Sequence, residues 1–229
     1  MISIDTVYQK VLALANKEQR GYITPQEFNL FADQAQKEIF EQYFYDLNQF
    51  NRTPGSSEEY SDIIHNLNEK IAIFESTANI NAGPNKGRIL ATDFWRLGTV
   101  IYNGVTEVEE VQQNEILYIN KSPLTKPTIN RPVYVRIAEK EINAYPSNQN
   151  LTYTYIRKPL KPSWGYFVVG NKALYDSSNT KTTNFELHPS EESELVYRIL
   201  AYAGVAIEKP QLTQVAAGLQ GAQIQQEKQ

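Results

Sequence analysis

The chain has no cysteine, which excludes disulfides, thiolate metal sites and a cysteine nucleophile. Histidine is scarce as well. His65 and His188 are the two present. So distant a pair offers no metal-ligand spacing and starves most acid–base schemes. No Gly-x-Gly, phosphate-binding loop or Gly-x-Ser-x-Gly occurs, so nucleotide cradles and the usual serine elbow are missing. No run approaches the roughly 18 apolar residues of a membrane span. Positive charge is not in excess: 22 Lys and Arg stand against 26 Asp and Glu, with an isoelectric point near 5.4. That balance argues against a surface built to grip nucleic acid or anionic membrane. The opening Met1-Ile2-Ser3-Ile4-Asp5 has neither a basic nor an apolar leader region, so no secretory signal is expected.

What is present in quantity is tyrosine: 15 Tyr beside a single Met. Tyrosine suits half-exposed strands and interfaces, because a large apolar ring carries a polar tip. Of the 229 residues, 41% are hydrophobic and 21% charged, a globular balance that fits one large domain or two small ones.

Residues 1–80 read as helical. Ile4, Val7, Tyr8, Val11, Leu12 and Ala15 recur at three and four, which places one apolar stripe on a helix. Thr24-Pro25-Gln26-Glu27 is a helix start, with Thr24 as N-cap, Pro25 in the first turn and Glu27 closing a capping box. Phe28, Phe31, Ala32, Ala35, Ile39, Tyr43 and Leu47 follow it, and a third helix carries Tyr60, Ile63, Ile64, Leu67, Ile71 and Phe74. Residues 79–88 look like a linker. The period then drops to two, predicting strands at 94–102, 105–111, 115–119, 133–137, 141–145, 151–157, 166–169 and 185–187. Turns are expected at Ala138-Glu139-Lys140 and Gly170-Asn171-Lys172. From Pro189 the chain is helical again, with Leu195, Val196, Ile199, Leu200 and Ala203 as its stripe, and Gln211–Gln229 fades into a glutamine-rich tail.

The fold class is therefore α+β: a helical bundle formed by the N- and C-terminal helices, with an inserted antiparallel β-domain. Residues 1–80 plus 189–229 would hold the bundle and C-terminal tail, and 90–187 the β-domain.

Each motif has a plain structural reading beside a functional one. Asn16 to Phe28 follows the outline of a calcium loop, with Gly21 at the turn and Glu27 at the bidentate position. Arg20, a cation where calcium needs an oxygen, speaks against it, and the capping box explains Thr24 and Glu27. The acids Glu107, Glu109, Glu110 and Glu115 suit a solvated strand face better than a catalytic pair. His65 reads as a surface residue and His188 as a cap. The run Arg157-Lys158-Pro159-Leu160-Lys161-Pro162-Ser163-Trp164 is held extended by its prolines. It reads as an exposed edge or as a contact surface.

Three stretches carry a resemblance. Asn16-Lys17-Glu18-Gln19-Arg20-Gly21-Tyr22-Ile23-Thr24-Pro25 with Ala35-Gln36-Lys37-Glu38-Ile39-Phe40 is similar to the start of many tailed-phage virion proteins. Arg131-Pro132-Val133-Tyr134, Ile142-Asn143-Ala144-Tyr145-Pro146 and Tyr155-Ile156-Arg157-Lys158-Pro159 resemble the β-domain of head-to-tail connectors of short-tailed phages. His188-Pro189-Ser190-Glu191-Glu192 with Leu200-Ala201-Tyr202-Ala203-Gly204-Val205 resembles the start of their C-terminal helix. The plan of helices, strands and helices is similar to the tail tubular protein A family of adaptor rings, in the style of crAss-like phage ring proteins.

The resemblance implies a dodecameric ring in the virion neck, between portal and tail, assembled in the host cytoplasm. Its partners would be further copies of itself, the portal protein and other tail or ring proteins. DNA would pass through without tight binding, and no membrane, cofactor, metal or catalysis would be involved. Leu212, Val215, Leu219 and Ile224 would bind the portal or a neighbouring subunit. Tyr153, Tyr155, Arg157, Lys158, Lys161 and Trp164 would lie in subunit contacts, since interface cores favour Tyr, Trp and Arg. The competing expectation is a host-surface or glycan-binding tail module.

Overall fold

The computed structural model describes residues 1–17, 23–52, 58–81, 88–147, 150–170, 172–178, 180–206, 214, 217–219 and 221–222. In chain order the elements are α1 (Ile4–Lys17), α2 (Pro25–Arg52), α3 (Glu58–Ala72), β1 (Glu75–Ile80), β2 (Arg88–Ile89), β3 (Phe94–Tyr102), β4 (Thr106–Glu107), β5 (Glu109–Glu110) and α4 (Glu115–Lys121). They continue with β6 (Val133–Ala138), β7 (Glu141–Tyr145), β8 (Leu151–Arg157), β9 (Tyr166–Val169), β10 (Lys172–Tyr175), a 3-10 turn (Pro189–Glu191) and α5 (Glu192–Ala206). The fold is mixed α+β, with antiparallel pairing throughout except between β5 and β6. The chain divides into two compact units: Met1–Ile73 with Pro159–Gln229, and Phe74–Lys158.

In the first unit the capping box forms as the sequence predicts. Thr24 N–H donates to the Glu27 carboxylate at 2.9 Å, and Glu27 N–H donates to Thr24 Oγ1 at 3.3 Å. These reciprocal bonds satisfy donors that a helix start leaves open. Hydrogen bonds from Thr24 also hold the Glu27 carboxyl below its usual range. Ile4, Val7, Tyr8 and Val11 of α1 are buried, as are Phe28, Ala32, Ala35 and Ile39 of α2. Helix α5 packs on both α1 and α2 through Leu195, Val196, Ile199 and Leu200, and α3 packs on α2.

The stretch 159–187 joins this unit, whereas the sequence reading assigned it to the β-domain. The reason is a set of hydrogen bonds onto the helices. Gln36, fully buried on α2, donates from its amide to Leu160 C=O at 2.8 Å and accepts Glu186 N–H at 3.1 Å. Glu186 in turn accepts Leu160 N–H at 2.8 Å. Asn29 grips the Trp164 backbone on both sides, accepting its N–H at 2.7 Å and donating to its C=O at 3.3 Å. Residues 185–187 are buried but form no strand; Phe185 instead exchanges two backbone hydrogen bonds with Ile2.

The second unit holds two four-stranded sheets, ordered β1-β8-β3-β4 and β2-β7-β6-β5. Both contribute to one core, with Phe94, Val100, Leu151 and Tyr153 from the first and Tyr134, Ile142 and Ala144 from the second. A register shift between Leu97 and Val100 spans Gly98 on β3, where a Cβ would come within 2.6 Å of Thr154 Oγ1. Two sequence expectations fail here. Residues 75–80 form strand β1 on β8 rather than helix and linker; their alternating exposure shows a half-buried edge that the preceding helical pattern masked. Residues 115–119 are helix α4, not strand. Asn114 caps it by accepting Glu115 N–H at 3.0 Å, and Ile116 alone is buried, so a short apolar run was resolved by its cap.

Replacing Gln36 by the similarly shaped methionine leaves Leu160 C=O and Glu186 N–H without their amide partner. Each buried group left unpaired costs about 1–3 kcal/mol, so Gln36→Met should lower unfolding free energy by about 2–4 kcal/mol in urea melts. A change below about 0.5 kcal/mol would show that the amide does not hold this segment.

Candidate interaction surfaces

The residues assigned to subunit contacts divide sharply. Tyr153 and Tyr155 are 2% and 7% exposed, inside the core of the second unit. The contact expectation is therefore corrected for both. On β8 the inward face is Leu151, Tyr153 and Tyr155, while Thr152, Thr154 and Ile156 point the other way. Their polar tips find partners: Tyr153 Oη accepts Ala91 N–H at 2.8 Å, and Tyr155 donates to Asp93 at 3.2 Å. Burial, and then the Asp93 charge, push the Tyr155 phenol up.

Trp164 is corrected too. At 2% exposure it lies within the first unit, its indole N–H donating to Asp5 at 2.9 Å and its ring 4.2 Å from that of Tyr8. The proline-spaced run thus anchors by its tryptophan and presents Lys158, Leu160 and Lys161 to solvent. Lys158 and Lys161 are exposed, on different compact units, and Arg157 is half-buried. Lys158 sits over the Trp95 ring at 5.5 Å and Arg157 over Phe74 at 5.9 Å. Of the tail residues, Leu219 is helical and 45% exposed, while Leu212, Val215 and Ile224 lie outside the described residues.

The remaining chemical motifs take structural roles. His188 caps the 3-10 turn, its Nδ1 accepting Ser190 N–H at 3.3 Å. His65 is exposed on α3. Residues 18–22 of the calcium-like stretch lie outside the described residues, and its Glu27 is engaged by Thr24. Glu107, Glu109 and Glu110 are exposed; Glu110 accepts the Tyr134 hydroxyl at 2.9 Å, and burial with this bond pushes the Tyr134 phenol up. No group of three His, Asp or Glu able to hold a metal occurs among the described residues. A cavity of about 340 Å³ lies between α2 and α3, lined by Gln42, Asp46, Phe50, Ile63, Leu67 and Lys70, with His188 and Ser190 at its edge.

An ionic cluster that the sequence gave no sign of lies where α5 meets α2. Arg198 is buried and donates from Nε to Glu194 at 2.8 Å and from Nη1 to Glu38 at 3.2 Å, with Gln42 as a further acceptor. Burial pulls the Glu38 carboxyl up, but Tyr202, Gln34 and the Arg198 charge outweigh it and hold it below its usual range. Tyr202 is pushed up to about 12 by burial and by its bond to Glu38. Along the same helix start, Glu191 is almost fully buried against Lys70.

Among the described residues, two stretches expose several large apolar side chains each, one on each unit. The hairpin β9–β10 exposes Phe167, Val168, Val169 and Leu174. Helix α4 and the loop after it expose Leu117, Tyr118, Leu124 and Ile129. Alternation predicted β9 correctly but not its exposure, because a period-two pattern does not say whether the second face is covered. No protein-family model matches the chain, and no curated protein matches it significantly.

Because Glu38 is depressed in the folded state, its contribution is complete above the unfolded carboxylate range and is lost as pH falls through the folded value. Glu38→Gln should therefore flatten the acid side of a thermal-stability profile below about pH 4.3, the ordinary carboxylate value. Parallel acid limbs in wild type and variant would show that the pairing with Arg198 and Tyr202 carries no linkage.

Proposed function

We propose that the chain is a virion structural protein that forms a head-to-tail connector ring between portal and tail. In this reading the helical unit, built from both chain ends, is a bundle carrying the second unit as an inserted β-domain. The contacts of α5 with α1 and α2 support that plan. The observation that carries the reading is the pair of exposed apolar surfaces, one on each unit. Monomers rarely leave several large apolar side chains together in water, and such patches mark association sites. A subunit in a cyclic assembly needs two unlike faces, one for each neighbour. Among the ionised groups of the first unit, Arg198 is paired with Glu194 and Glu38, and Lys70 with Glu191.

Subunit contacts then fall to the exposed residues of the hairpin and α4 and to the exposed Lys158 and Lys161, and no longer to Tyr153, Tyr155 or Trp164. The portal or a neighbouring copy is the partner of the tail at Leu212, Val215, Leu219 and Ile224. DNA passes through the ring without being gripped, in keeping with the net acidic composition.

Imaging of the intact particle tests this directly. The chain should fill a cyclic layer of density between portal and tail. Density at the tail tip, or a trimer as the purified species, would move the assignment to a host-surface module. A gel shift supplies an independent check: duplex DNA should not be retained at physiological salt. Micromolar, salt-sensitive binding would contradict a freely passing conduit.

A further inference from the structure

Strands β9 and β10 form a ribbon of their own, with Val169 opposite Lys172 and Tyr166 opposite Tyr175. Among the described residues no third strand joins them. Each strand of such a ribbon turns half of its backbone N–H and C=O groups outward, as an open edge. Among the described residues the other sheet edges are blunted, and the stretches of β3 and β6 that their short neighbours leave uncovered carry Arg96 and Arg136 and register shifts. β2, β4 and β5 are two residues long, and β1 exposes Glu75, Thr77 and Asn79. Short length and polar side chains are the ordinary protection of an edge. Strand β9, at four residues, is twice the length of those short edges, and Tyr166 is its one side chain with a polar tip. Tyr166-Phe167-Val168-Val169 contains no charge, no proline and no register shift, and Val168 is 64% exposed.

The geometry points to a second copy of this chain as the partner of the ribbon, with β9 of one copy pairing antiparallel with β10 of the next. This rests on the ring reading and names where its copies join. An open edge is matched by extended backbone, which alone offers donors and acceptors in register along it. A hairpin has two unlike edges. When identical hairpins stand side by side in the same orientation, β9 faces β10 of the neighbour and runs antiparallel to it. That contact is head-to-tail, so it does not stop at a pair, and repetition closes a ring where the rotation per copy divides a full turn. Lys172 is the one charged side chain of residues 166–175. Successive copies would place it two strand spacings apart, about 9–10 Å, which is near one Debye length at physiological salt. Repulsion along the ring is therefore weak, and the apolar side chains Phe167, Val169 and Leu174 cover one another as the strands pair.

The test is native mass measurement of the full-length chain as wild type and as Val168→Pro, with circular dichroism on both. Proline removes a backbone donor and is excluded from the interior of a sheet. The expected result is a closed oligomer for wild type and a folded monomer for the variant. A folded variant that forms the same oligomer would overturn the hairpin contact and leave the ring reading standing. A wild type that stays monomeric at every concentration would overturn both. Should the proline variant lose its helical signal, Val168→Lys replaces it, since it keeps the amide and puts a charge at an exposed edge position. It should weaken association by about tenfold or more, and unchanged association would count against the contact.

Discussion

The first compact unit depends on one buried amide. Gln36 lies on α2, far in sequence from Leu160 and Glu186, yet it bonds to the backbone of both. Glu186 closes the loop by accepting Leu160 N–H. A buried amide costs free energy unless its donor and acceptor sides are both matched, so this triangle admits one register of 159–187 on the helix. The consequences spread from there. Leu160 in place brings Trp164 against Tyr8, with Asn29 and Asp5 taking its polar groups. Trp164 then stacks near Tyr166 and Tyr175, which fixes the base of the β9–β10 hairpin. The exposed part of the hairpin is what remains beyond that anchored base.

The second unit solves a different problem, that of filling a core between two small sheets. Tyrosine does it with rings that reach across and hydroxyls that end on groups at the margin. Tyr153 stops at Ala91 N–H, Tyr155 at Asp93 and Tyr134 at Glu110. Phenylalanine would fill the same space but leave Ala91 N–H without that partner. Much of the tyrosine excess is thus a packing device, and it says less about interfaces than composition suggests.

The legible parts of the sequence were those written in local chemistry. The capping box at Thr24, the stripes of α1, α2 and α5 and the strands β3, β7, β8 and β9 follow from spacing alone. Four kinds of information were not local. Strand β1 exists because β8 is there to pair with it. Helix α4 reads as strand until Asn114 is seen to cap it. The placement of 159–187 needed Gln36, which in sequence is one polar residue on a helix. Of the proposed contact residues, Tyr153, Tyr155 and Trp164 were misjudged for a common reason: an aromatic on an alternating strand or beside prolines has the same pattern whether its face meets water or core. For Lys158 and Lys161 only their exposure was legible, because a lysine without a buried partner stays in solvent.

Interior and surface are unusual in opposite senses. Inside, charged groups are sequestered: Glu191 with Lys70, and Arg198 among Glu194, Glu38 and Gln42. Such pairs are weak sources of stability, because desolvation offsets most of their attraction. Their value lies in orientation, since α5 can meet α2 and α3 in few ways that satisfy every member. Outside, Leu117, Tyr118, Val168 and Val169 stand in water at a cost. A subunit that acts alone has reason to do the reverse, with apolar groups inside and charge outside. A subunit of an assembly needs an internally fixed body, so that its apolar faces arrive at a neighbour at a set angle. Ring closure is intolerant of angular error, because a small deviation repeated at each contact gives an open helix instead of a circle. Within the first unit, then, the buried ionic contacts fix how its helices pack, and the exposed β9–β10 hairpin is the apolar part that the proposed ring would cover.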